Sequence, residues 1–136
     1  MSGNILFETS KWRDIVELGL CMEIYDVCND NQFENCTPLD FANFLNVREE
    51  AKAISVVPKE KLRVCYMVYA VAQTIAPRKE ALIWCELFLQ RCGINKSYYD
   101  KHSTDICADH ATEDNKNYRK SIDNAINEWR SRRRTP

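Results

Sequence analysis

Apolar residues recur along this chain at three- and four-residue spacings, the rhythm of helices packed on one another rather than of strands. Over residues 4–28 the apolar positions Trp12, Ile15, Val16, Leu18, Leu20, Met22, Ile24, Tyr25 and Val27 exceed a single stripe. That excess predicts a first helix in the middle of the fold. Gly19 is expected to loosen or kink it. Asn29, Asp30 and Asn31 end it, as turn-forming residues do.

Thr37, Pro38, Leu39 and Asp40 then spell a helix start. Thr37 stands at the cap, Pro38 at the first helical position and Asp40 at the positive end of the dipole. Phe41, Phe44 and Leu45 give that short helix its apolar side, and a second short helical piece is expected over residues 47–55 after a turn at Asn46. Pro58 opens the next helix and Pro77 closes it. Leu62, Cys65, Tyr66, Tyr69, Ala72 and Ala76 form one stripe there, Val64, Val68, Val71 and Ile75 another. A helix apolar on two sides belongs in the interior.

Pro77 also starts the following helix. Its expected stripe is Leu82, Cys85, Phe88, Leu89 and Cys92, with Gly93 as the stop. Trp84 falls off this stripe, so it is either more deeply buried or part of a partner surface. Residues 95–106 read as a short helix or structured loop. Thr112 or Asp114 caps a final helix whose Tyr118, Ile122, Ala125, Ile126 and Trp129 make one clean stripe, placing it on the outside.

The fold class is therefore all-α, a compact bundle of five to seven helices. Residues 1–129 are expected to form one helical domain, and 130–136 a basic, flexible C-terminal extension. Only three glycines and four prolines occur in 136 residues, too few turn formers for a sandwich or barrel. The longest uncharged apolar stretch, residues 64–76, is too short for a bilayer. Charges interrupt the first twenty residues, so no secretory leader is read there, and the expected location is the cytoplasm. Seven cysteines, an odd number without a leader, are expected as small core hydrophobes rather than disulfides.

Net charge is −1, yet its distribution is polar. Residues 1–60 carry 5 basic and 11 acidic groups, whereas residues 116–136 carry 7 basic and 2 acidic. Such a chain attracts a partner, packs head to tail, or folds its basic end onto its acidic body.

Three segments suggest chemistry. His102, Cys107 and His110 sit among carboxylates, and imidazole with thiolate is a zinc donor set, but the paired short spacings of a structural site are missing. Cys107 near two histidines also suggests a thiol nucleophile, without an orienting group or oxyanion hole. Leu39, Phe41, Ala42, Leu45, Asn46 and Val47 match the first half of a helix-turn-helix. Its second half would turn Lys52 and Ser55 inward and set Glu49 and Glu50 against phosphates. Finally, Arg130, Arg132, Arg133 and Arg134 exceed what relief of a helix dipole requires and suit a protein or nucleic-acid partner.

The sequence indicates no cofactor, no small-molecule substrate and no membrane partner. The leading expectation is a non-enzymatic interaction or regulatory protein, adaptor-like, binding a protein partner or itself. The alternatives are a nucleic-acid-binding regulator, using the four arginines and residues 39–55, and a small zinc-stabilised domain.

Overall fold

The computed structural model describes residues 14–134 and is all-helical, with six α-helices among the described residues. They are α1 (Leu18–Cys28), α2 (Pro38–Leu45), α3 (Lys61–Ala72), α4 (Arg78–Cys92), α5 (Lys96–His102) and α6 (Glu113–Arg134). A short 3-10 turn, Asp105–Cys107, precedes α6. Residues 4–13 of the expected first helix lie outside the described residues. No described helix is long and apolar enough to cross a membrane.

Local chemistry accounts for the helix ends. Thr37 caps α2, its hydroxyl accepting the Asp40 N–H at 3.1 Å, with Pro38 following. Gly93 ends α4 in the left-handed conformation, φ 69°, and the next N–H, from Ile94, returns to the Leu89 carbonyl at 2.9 Å. Of the two expected caps of the last helix, Thr112 serves, its hydroxyl accepting the Asn115 N–H at 3.2 Å.

The helix α1 packs between α2 and α6, and α3 meets α4, α5, α6 and the 3-10 turn. Eight of the nine residues of α3 from Val64 to Ala72 are buried, so the interior position expected from its two stripes holds. The whole stripe of α6, Tyr118 through Trp129, is buried. At the centre, Phe33, Phe41, Phe44 and Phe88 meet edge to face or tilted, with ring centroids 5.3–6.4 Å apart.

Four expectations are corrected. Residues 47–55 form no helix: Val47 takes a positive φ of 51°, costly for a β-branched residue, and a turn follows in which the Ala51 N–H donates to the Arg48 carbonyl at 3.2 Å, before the segment reaches Ser55. The Phe33 region pairs with it, Glu34 N–H donating to the Ser55 carbonyl at 3.0 Å and Val57 N–H to that of Gln32 at 2.9 Å. The helix α3 starts at Lys61 and stops at Ala72, short of both flanking prolines. The inner face of α4 includes Ala81, Trp84, Cys85, Phe88 and Leu89, so Leu82, expected in the inner stripe, faces outward, while Trp84 takes the buried one of its two expected places. The first helix begins only at Leu18, since residues 14–17 are not helical, so Gly19 stands in its first turn, where a Cβ would lie 3.4 Å from Cδ1 of Trp129.

Candidate interaction surfaces

The basic end does not run free of the fold. Helix α6 continues through residues 130–134, where a flexible extension was expected, and its last turns lie along α1. Arg132 pairs with Glu23, and the Nε of Arg133 lies 3.3 Å from Glu17. Trp129 Nε1 donates to the same Glu17 carboxylate at 3.0 Å, while the Arg133 guanidinium stacks 4.9 Å from the Trp129 ring. One carboxylate thus serves an indole and a guanidinium. Arg130 is exposed and carries no ion pair among the described residues; the side chain of Arg134 lies outside the description.

Sequence reasoning singled out the arginines but missed their partners, Glu17 and Glu23. The acidic excess of residues 1–60 was the available signal. Of the three arrangements that charge pattern permits, folding the basic end onto the acidic body is the one observed.

Helix α4 presents a second surface. Positions 79, 82, 83, 86, 87 and 90 share its outer side at 3.6 residues per turn. Leu82 is 53% exposed there. Ile83 and Leu87 are half-buried and stand apart from the packed core. Lys79, Glu86 and Gln90 frame these three aliphatic side chains, all exposed. The helix is therefore apolar on both sides, and among the described residues the packed core covers the inner one.

The candidate zinc donors do not converge. Nδ1 of His102 meets the Asp105 carboxylate at 2.6 Å, and its ring lies 4.6 Å from that of Tyr98. His110 is exposed, and Cys107 packs against the core. Among the described residues no three His, Cys, Asp or Glu side chains are grouped to hold a metal ion. Burial pushes the Cys107 thiol up, the reverse of what activates a nucleophile. Burial likewise pushes Cys21, Cys28 and Cys65 up to about 12. All seven thiols are free, and Cys21, Cys28, Cys65 and Cys85 are buried.

The helix-turn-helix pattern fails at its second half, because residues 48–55 contain no helix to enter a groove. That segment instead borders an open cleft of about 330 Å³, with Glu34, Cys36, Asp40 and Lys52 on its walls. Lys52 there lies 3.6 Å from the Asp40 carboxylate.

Comparison with protein-family models, with curated proteins and with solved structures finds no match.

Proposed function

We propose that this protein is a non-enzymatic interaction module, of regulatory or adaptor type, that works by binding another macromolecule through the outer face of α4. The observation that carries the reading is the trio Leu82, Ile83 and Leu87 lying outside the core, with Leu82 more than half exposed. Exposed aliphatic clusters rimmed by polar residues mark binding surfaces more often than isolated apolar residues do. The raised thiols support a role without nucleophilic chemistry. A nucleic-acid reading draws less support, because Arg132 and Arg133 are already engaged by carboxylates and only part of the cationic cluster remains to meet phosphates.

Leu82→Asp tests the reading. An open binding face predicts a melting temperature within a few degrees of the parent, since surface changes usually stay within about 0.5 kcal/mol. It also predicts a lower fluorescence from an added apolar dye such as bis-ANS. A large drop in melting temperature, or dye fluorescence unaltered by the substitution, would count against it.

A further inference from the structure

The outer face of α4 carries its two opposite charges in a symmetric arrangement. Lys79 and Glu86 are one heptad apart, about 10 Å along the axis at a rise of 1.5 Å per residue. Their midpoint falls between Leu82 and Ile83. Both are exposed, and neither forms an ion pair among the described residues.

A strip with opposite charges equidistant from an apolar centre is complementary to itself when turned by a twofold axis through that centre. In such an isologous contact residue i meets residue j of the other copy, and j meets i. Two antiparallel α4 helices would then place each Lys79 opposite the Glu86 of the second copy, on either side of the paired Leu82 and Ile83 side chains. Like-charged ends at these two positions would forbid the same packing.

We propose that the outer face of α4 docks antiparallel onto the same face of a second copy of this chain, with Lys79 and Glu86 setting the register around Leu82 and Ile83. This inference rests on the reading of α4 as the binding surface, and it names the partner. The contact area offered by one helix face is small, which places the dimer among weak, reversible associations. Its charged pairs lie at the rim, so added salt weakens it.

Sedimentation equilibrium of the full chain, from micromolar to millimolar concentration, tests the proposal. The expected result is a mass rising with concentration toward that of a dimer. Lys79→Glu alone and Glu86→Lys alone each set like charges against one another and should weaken association by about tenfold or more. The double variant restores opposite pairs and should recover to within about threefold of the parent. A monomer at every concentration overturns the proposal, and so does association that the single reversals leave unchanged or the double reversal does not rescue. Circular dichroism on each variant confirms that the helices persist. Leu82→Asp separates the two levels. Unchanged melting with a monomeric parent defeats self-docking alone, whereas a strongly lowered melting temperature assigns the face to this chain's own core and defeats the binding surface as well.

Discussion

Asn46 and Val16 are joined through both polar atoms of one buried amide. Oδ1 of Asn46 accepts the Val16 N–H at 2.8 Å, and its Nδ2 donates to the Val16 carbonyl at 3.0 Å. The same side chain accepts the Ile15 N–H at 2.8 Å and donates to the Ala42 carbonyl at 3.1 Å. It therefore satisfies backbone groups of the chain entering α1 while closing the end of α2. No water needs to enter to satisfy these groups.

Removing that amide should cost more than an ordinary polar deletion. Asn46→Ala takes the acceptor from the Ile15 and Val16 N–H groups, each loss costing about 1–3 kcal/mol in part offset by relaxation, so a total loss of about 2–4 kcal/mol is expected. Urea denaturation checks it as a fall in midpoint at constant slope. A loss below about 1 kcal/mol would mean that the entry to α1 does not depend on Asn46.

Trp84 provides a second tie to the end of α2. Its Nε1 donates to the Leu45 carbonyl at 2.7 Å, and its ring stacks on Phe88 at 5.5 Å with planes 7° apart. Trp84→Phe keeps an apolar ring but loses the donor, an expected loss of about 1–3 kcal/mol. Trp84→Ala adds a cavity and should reach about 3–5 kcal/mol. Calorimetric melting of the two variants should rank them in that order.

Along the charged seam, Glu17 should outweigh its cationic partner. Arg133→Ala removes an exposed pair and is expected to cost less than about 1 kcal/mol, an effect that fades at high salt. Glu17→Ala additionally strands the indole N–H of Trp129, a residue only 6% exposed. Its larger cost should survive high salt, and the environment of Trp129 should change in its fluorescence. Equal, fully salt-sensitive losses in both variants would show that the indole bond contributes nothing.

Alkaline pH should destabilise the fold through its thiols. Cys21, Cys28 and Cys65 release their protons near 12 when folded, against an ordinary value near 9. The folded state thus holds these protons more tightly than the unfolded chain does. The resulting stabilisation is complete below about pH 9 and is lost progressively as pH rises from there through about 12. Melting temperature should fall across that window, and Cys65→Ala should make the decline shallower. Thiol labelling at neutral pH should reach the half-buried Cys36 and Cys107 before any of these three.

How much of this was legible in the sequence depends on the range of the interaction. Thr37, Pro38, Gly93 and Thr112 act on backbone groups a few residues away, so the amino acids by themselves determined where those helices begin and end. The stripe of α6 was equally plain, since a helix covered on one side leaves its other side polar. The interior of the bundle, with its free thiols, followed from the same periodicity.

Tertiary structure decided what periodicity leaves open. A helix apolar on both sides, such as α4, does not specify which side is covered; the packing around Phe88 and the carbonyl of Leu45 drew Trp84 inward and turned Leu82 out. The positive φ of Val47 broke a segment whose residues were compatible with a helix, because pairing with the Phe33 region satisfied its backbone instead. The basic end found Glu17 and Glu23 more than a hundred residues away in the chain. Charge balance announced that such a contact was available, but only the packing of α6 on α1 selected the carboxylates, because desolvation and hydrogen bonding depend on which surfaces meet.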